Sequence, residues 1–280
     1  MKFTKMHGAG NDYIFVDGFS QAVGDPAALA RRMSDRHFGV GADGLILILP
    51  STVAHCRMRI FNADGSEAQM CGNGIRCLAK YVYERGLARY NPLAVETLAG
   101  IKTLNLRLAG ERVAEVEVDM GPPRLVPHEI PVRLEGDRVV ERGVQIAGQH
   151  LTITCLSMGN PHCVIFVPEV DQAPVGTLGP QVEEAPLFPE RTNVEFVEVV
   201  SRVEIRQRTW ERGSGETLAC GTGASAALVA GVLTGRTERS ITSHLRGGSL
   251  RLRWPEGGGV HLAGEAVEVF TGHWPRAEEH

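Results

Sequence analysis

The sequence lacks the marks of several protein classes. Its six cysteines include no Cys-x-x-Cys pair; the closest spacings are Cys71 to Cys77 and Cys155 to Cys163, so no metal site is expected. No apolar run approaches the roughly 20 residues of a membrane span. The longest, "LILIL" at 45–49, is of strand length. The opening "MKFTKMHGAGNDY" has no signal-peptide apolar core. Lysine and arginine form no block or stripe and the net charge is −4, which argues against nucleic-acid and membrane partners. There is no Gly-Lys-Ser/Thr phosphate loop and no low-complexity tract. These absences predict a cytoplasmic protein with reduced cysteines and no disulfide framework.

What is present is a repeated turn. "NADGSEAQMCGNGIR" (62–76) and "ERGSGETLACGTGAS" (211–225) each carry a cysteine before a Gly-x-Gly step, and Cys71 and Cys220 lie 149 residues apart. The same shift carries Gly10-Asn11 onto Gly159-Asn160, Gly44 onto Asn193, Asn62 onto Glu211, Gly72 onto Gly221, Gly74 onto Gly223 and Gly86 onto Gly235. A shared shift across so many anchors predicts a duplication. With 280 residues there is room for two cores. The expectation is two similar domains related by a pseudo-twofold axis, each bringing one cysteine to the seam, where ligand sites often form.

Apolar patterning predicts strands at 13–17, 44–49, 56–61, 101–108 and 113–119, then at 151–157, 163–167, 194–200, 202–209, 249–253 and 260–263. Asp25-Pro26 is a cap and first-turn signal for a helix through "AALARRMSDRHF". Helices are also predicted after each cysteine, ending at Gly86 and Gly235. The second of these is small or apolar on nearly every face and should be surrounded by protein. Pro122-Pro123 marks a domain boundary and "GGG" at 257–259 a hairpin tip. The domains are set at 1–120, completed by the tail 266–280, and 121–265.

A helix start presents unpaired N–H groups and partial positive charge. There a thiol is expected to ionise more readily than its reference of about 8.5, and a carboxylate binds well. Two thiols on opposite faces of one carbon suit stereochemical inversion: one removes a proton and the other delivers one. The oriented N–H groups would stabilise charge developing on an adjacent carboxylate. Cys56, Cys77, Cys155 and Cys163 sit in apolar runs and read as small buried hydrophobes. His162 fits either a structural histidine or a partner that orients a base. Asp64 reads as a turn residue. Arg206 and Arg208 alternate along a strand, whereas Arg212 lies in the repeated loop and is the better carboxylate contact. Gly221 to Ala226 fits a loose dinucleotide pattern, but "WERGSGETLAC" is too polar for the buried strand that pattern requires. A cysteine hydrolase using Cys71 and His162 leaves Cys220 without a role. A non-catalytic amino-acid-binding protein needs neither thiol.

"NADGSEAQMCGNGIR" fits the Asn-x-Asp-Gly-Ser-x4-Cys-Gly-Asn-Gly-x-Arg pattern of the diaminopimelate epimerases. "MHGAGNDYIFVD", "MGNPHCVIFV", "TNVEFV" and "WERGSGETLACGTGASA" also resemble that family's segments, in its order and along essentially the whole chain. The resemblance implies an α+β fold of two pseudo-symmetric domains, each a mixed β-sheet curled around a central helix. It implies pyridoxal-independent epimerisation of LL- to meso-diaminopimelate, on the route to lysine and peptidoglycan, without a cofactor and in a homodimer. It makes Cys71 and Cys220 the acid/base pair, with His162 and Glu211 assisting. It assigns Gly72, Asn73, Gly221 and Thr222 to the reacting carboxylate, and Asn11, Asn62, Asn160, Asn193 and Arg212 to the rest of the substrate. Related proline racemases carry histidine where this chain has Asn73. Some family members carry glutamine at the position of Gly44, and many a cysteine at that of Ser225.

Overall fold

A computed structural model describes residues 1–275; the last five residues of the tail assigned to the first domain, 276–280, lie outside the described residues. The chain divides into unit 1, Met1–Val118 together with the chain from Gly264, and unit 2, Asp119–Ala263. The break precedes Pro122-Pro123 by a few residues.

In unit 1, β1 (Lys2–Gly8) and β2 (Asn11–Asp17) form a hairpin. They are followed by α1 (Pro26–Ser34), β3 (Gly44–Leu49), β4 (Cys56–Asn62), the short β5 (Glu67–Ala68) and α2 (Gly72–Glu84). β6 (Leu93–Thr97), β7 (Gly100–Ala109) and β8 (Arg112–Asp119) complete the run. Unit 2 opens with β9 (Val139–Ile146) and repeats the order: β10 (Gln149–Ser157), β11 (Pro161–Phe166), α3 (Val175–Glu183), β12 (Asn193–Ser201), β13 (Glu204–Glu211), β14 (Gly215–Thr217), α4 (Gly221–Leu233), β15 (Ser240–Leu245), β16 (Gly248–Arg253) and β17 (His261–Gly264). β18 (Val267–His273) belongs to unit 1 and pairs antiparallel with β1, as β9 does with β10.

The pairings repeat as well. β2–β3 and β11–β12 are parallel, as are β4–β6 and β13–β15. The shift of 149 holds at the register level: Tyr13 faces Gly44 in one unit, and His162 faces Asn193 in the other. Each unit is thus a mixed sheet, and the fold is α+β.

Two layers of packing shape each sheet. On one side of the unit 1 sheet, Ile14, Val16, Leu45, Leu47 and Phe61 cluster with Ala30 and Met33 of α1. On the other side Ile46 lies against Gly74 at the start of α2. β3 is therefore apolar on both faces, as a covered strand must be. In α4, Ala226, Ala227, Leu228, Val229 and Ala230 are fully buried. The helix packs on β10, β11, β12, β15 and β16, the surrounded position its composition requires.

α1 ends at Ser34, four residues short of the sequence expectation, because the Asp35 carboxylate takes the N–H groups of His37 and Phe38 and turns the chain. Asp25 caps its start through Ala28 N–H at 3.0 Å. α2 and α4 are followed by Gly86 and Gly235 at φ of 72° and 69°, the left-handed step that favours glycine after a helix. Eight elements escaped the pattern reading: β1, β6, β9, β15, β18 and α3, with the short strands β5 and β14. β1 lies between β2 and β18, so its alternation is lost and even Thr4 and Lys5 are buried. α3 contains Gly176, Gly179 and Pro180, poor helix formers. Packing decides there: a Cβ on Gly179 would come within 2.7 Å of Trp210, and the Trp210 indole donates to Glu183 at 2.7 Å.

Candidate active site

The two cysteines cap the two central helices. Cys71 and Cys220 both have extended backbone, and each sulfur accepts the N–H three residues on: Gly74 at 3.5 Å and Gly223 at 3.4 Å. The remaining first-turn N–H groups of such a helix point outward, where an anion can be held.

In unit 1 the Cys71 sulfur has two further partners. The Tyr13 hydroxyl donates to it at 3.4 Å, and the thiol is directed at Asn11 Oδ1, 3.3 Å away. Asn11 is fixed from both ends. Its Nδ2 donates to Asp43 at 2.7 Å, and its Oδ1 accepts from Asn73 Nδ2 at 3.2 Å. Asn73 is fixed in turn by Arg76, whose wholly buried guanidinium donates to Asn73 Oδ1 at 2.8 Å and Gly72 O at 3.0 Å. Behind Asn11, Arg36 bridges Asp12 and Asp43 at 3.1 and 2.8 Å. Lys5 pairs with Asp12 at 2.6 Å and also donates to Gly41 O. Burial works against the Asp12 carboxylate, but hydrogen bonds from Lys5 and Arg36 outweigh it and hold its carboxyl below the usual range.

Not every residue assigned from the sequence joins this cluster. Asn62 is exposed, and its amide donates to Ser66 Oγ at 3.0 Å within the β4–β5 turn. Asp64 accepts from Ser66 in the same turn, which is the turn role read for it. Gly44 has no room for a side chain: a Cβ there would lie 2.2 Å from Phe61 O and 3.2 Å from the Tyr13 ring.

Unit 2 gives Cys220 a different setting. Its sulfur lies 3.4 Å from Thr222 Oγ1, which accepts from Asn160 Nδ2 at 3.3 Å. Asn160 Oδ1 meets His162 Nε2 at 3.0 Å, and His162 Nδ1 meets Glu195 Oε1 at 2.9 Å, with both the ring and the carboxylate fully buried. Glu211 is bonded to Thr217 Oγ1 at 2.5 Å and to the Cys220 thiol. Burial pushes the Glu211 carboxyl above the usual range. The expectation of a more acidic thiol at a helix start fails for Cys220. Burial, then the Glu211 and Glu195 carboxylates, push it well above the ordinary thiol range, and the bonds from Thr222 and Gly223 do not offset this. Asn193 acts as a brace, donating to Pro161 O at 2.8 Å and accepting Arg212 N–H at 3.0 Å. The Arg212 guanidinium is exposed and donates to Glu190 O at 3.0 Å.

Comparison with known proteins decides the family. The family model described as "Diaminopimelate epimerase" matches residues 3–126 and 154–269. A diaminopimelate epimerase from Moorella thermoacetica is 57% identical over 277 residues, covering 98% of this chain and 99% of that protein. The chain belongs to the diaminopimelate epimerase family. It is an amino-acid epimerase, an isomerase. Two solved structures share the fold. A Bacillus anthracis phenazine biosynthesis protein of the PhzF family has TM-score 0.70 at 17% identity, covering 97% of this chain and 98% of that one. A probable proline racemase from Agrobacterium radiobacter has TM-score 0.68 at 16% identity, covering 98% and 92%.

Within this epimerase, the cluster residues that had not been assigned from the sequence include Tyr13, Arg76 and Glu195, with Lys5, Asp12, Arg36 and Asp43 behind Asn11 and Thr217 beside Glu211. The shift of 149 leads to Tyr13, which it relates to His162; it relates Glu195 only to Ile46, which carries no such signal. Cys56, Cys77, Cys155 and Cys163 are buried, in keeping with their reading as structural thiols. Among the described residues no group of three or more histidine, cysteine, aspartate or glutamate side chains is arranged to hold a metal ion, and no helix is long and apolar enough to cross a membrane.

Proposed function

We propose that this chain interconverts LL- and meso-diaminopimelate at one α-carbon, with Cys71 and Cys220 as the acid/base pair. In one direction a thiolate takes the α-proton while the other thiol delivers its proton to the opposite face; in the reverse direction the roles exchange. The C–H electron pair passes into the carboxylate, where the helix-start N–H groups at Gly72, Asn73, Gly221 and Thr222 meet the growing charge. The observation that carries the reading is the duplicated cap: both sulfurs occupy the same place at the start of a central helix. Glu211, bonded to the Cys220 thiol and itself held toward its protonated form by burial, is suited to return protons to that sulfur. His162 orients Asn160 and, through it, Thr222.

Asn11, Asn62, Asn160, Asn193 and Arg212 are assigned to the remainder of the substrate. A distal amino-acid end needs carbonyl acceptors for its ammonium and a cationic fork for its carboxylate. Thiols and backbone N–H groups of the chain carry each step of this reading, which assigns no part to a cofactor. A homodimer, a cytoplasmic location and supply of lysine and peptidoglycan precursors complete the family reading.

The test is incubation with LL-diaminopimelate in heavy water without added cofactor. Deuterium entering one α-carbon, with meso product, supports the assignment. Absence of both would overturn it.

A further inference from the structure

Tyr13 stands where the repeat places His162, yet it does something His162 does not: it touches the sulfur of its own unit's cysteine directly. Its ring is pinned. Gly44 leaves no gap on one side, and the start of α2 lies on the other, where a Cβ on Gly74 would come within 3.7 Å of the ring. The side chain is only 6% exposed. Its hydroxyl, 3.4 Å from Sγ, therefore has little freedom to turn elsewhere.

We infer that Tyr13 is a positioning residue for the epimerisation, its hydroxyl a fixed hydrogen-bond donor that holds the Cys71 sulfur and steadies it whenever it is negatively charged. The inference rests on the acid/base role given to Cys71 above. Tyr13 keeps its own O–H bond throughout. When Cys71 acts as base, an S–H bond forms, the substrate C–H bond breaks and its electron pair goes to the α-carbon and carboxylate; the phenol only strengthens or relaxes its hydrogen bond to sulfur. Burial and the neighbouring Cys71 push the Tyr13 phenol well above its ordinary range, so it stays a donor at working pH.

Other groups face this pair within unit 1. Asp43 lies behind Asn11 and acts on the phenol, while Arg76 and Cys77 of α2 act on the Cys71 sulfur. All of them remain in the proposed variant, so a change in the sulfur is attributable to the lost hydroxyl.

The experiment is Tyr13→Phe, read by iodoacetamide alkylation of Cys71 across pH with peptide mass spectrometry, and by kcat/KM in both directions. The expected result is a Cys71 alkylation profile displaced to higher pH and a roughly tenfold loss of kcat/KM, the scale of one hydrogen bond to a charged group. A profile that overlays the parent would overturn the inference. Should Tyr13→Phe fail to fold, replacing the four tyrosines of the chain by 3-fluorotyrosine decides the matter with the packing intact. A more acidic phenol is a stronger donor, and the Cys71 profile should move to lower pH; an unmoved profile overturns the inference. The alkylation readout needs no turnover. Activity surviving in Cys71→Ala would therefore sink the acid/base reading of Cys71 without being confused with the Tyr13 result.

Discussion

Where unit 1 has Ile46, unit 2 has Glu195; where unit 1 has Arg76, unit 2 has Ser225. Met58 corresponds in the same way to Gln207, and Asn62 to Glu211. The duplicated backbone thus places its two sulfurs identically and surrounds them with opposite buried charge. A negative charge at Cys71 meets a phenol, backbone N–H and a guanidinium one helical turn away. A negative charge at Cys220 meets two carboxylates in a site with almost no exposure. Epimerisation at one carbon needs one proton acceptor and one proton donor at a time, so unlike surroundings for like thiols are what the chemistry calls for. On the proposed two-thiol mechanism, the repeated scaffold supplies both helix starts, and the divergent lining suits two sulfurs that do not do the same thing at the same moment.

The comparison breaks most readily at the sulfurs themselves. Cys71→Ala and Cys220→Ala should each fold and each lose roughly 10²- to 10⁴-fold in epimerisation rate, the usual scale of a positioned acid or base. Steady-state rates from both stereoisomers check this, and near-normal turnover in either variant would make the two sites functionally unequal in a way the account does not allow.

The next effect separates Arg76 from its counterpart Ser225. Arg76→Lys keeps the charge but cannot donate to both Gly72 O and Asn73 Oδ1 in the planar geometry of the fork. One acceptor loses its cationic donor, so unfolding free energy should fall by about 1–3 kcal/mol. Denaturant titration measures it. Ser225→Ala, which removes only a hydroxyl bonded to Gly221 O, should cost less.

A pH effect tests the buried structural thiol beside Arg76 on α2. Burial pushes the Cys77 thiol up to about 12, with Arg76 acting the other way. In the unfolded chain the same thiol ionises near about 8.5. Above that pH the unfolded state binds fewer protons than the folded one, so stability is fully present below it and is lost as pH rises toward the folded value. The loss is about 1.4 kcal/mol per pH unit for each such thiol. Cys77→Ala should flatten the fall of unfolding free energy with pH in the alkaline range by one thiol's share; an unchanged slope counts against the buried-thiol account.

The smallest expected effect concerns Glu195. Glu195→Gln keeps a group that can bond His162 and removes a charge that raises Cys220. The alkylation profile of Cys220 should shift toward lower pH, while that of Cys71, in the other cluster, stays in place. Movement of both would show that Glu195 acts through the fold and not through the local field.

Much of this was legible in the sequence because the duplication leaves glycines and cysteines at a fixed shift, and backbone-driven positions of that kind resist change. The capping sulfurs, the helix stops at Gly86 and Gly235 and the surrounded α4 all follow from such local rules. What escaped was set by packing. Glu195 sits in "VEFVEV", where a carboxylate in a strand reads as facing water; β12 is covered by α3 on one side and α4 on the other, so there is no water to face. Tyr13 reads as one more aromatic in an apolar strand, and only its register opposite Gly44, beside the start of α2, gives its hydroxyl a partner. Arg76 ends a motif and gives no hint that a cation on a helix would be wholly buried. The expected acidity of Cys220 failed for a related reason. Helix-start donors were visible in the sequence; the burial of the thiol and the opposing carboxylate of Glu195 on β12 were not, and Glu211, in the same repeated loop, was read as a helper and not as an opposing charge.

The central claim is that two different thiols serve the two faces of one carbon. It is tested most directly by the fate of the label at early times in heavy water, starting from LL-diaminopimelate. The account predicts meso product carrying deuterium at the inverted carbon while recovered LL substrate stays unlabelled, because the group that takes the proton is not the group that gives one back. Deuterium accumulating in recovered LL substrate, or unlabelled product that retains the original hydrogen, would contradict it, since either result means that a single base serves both faces.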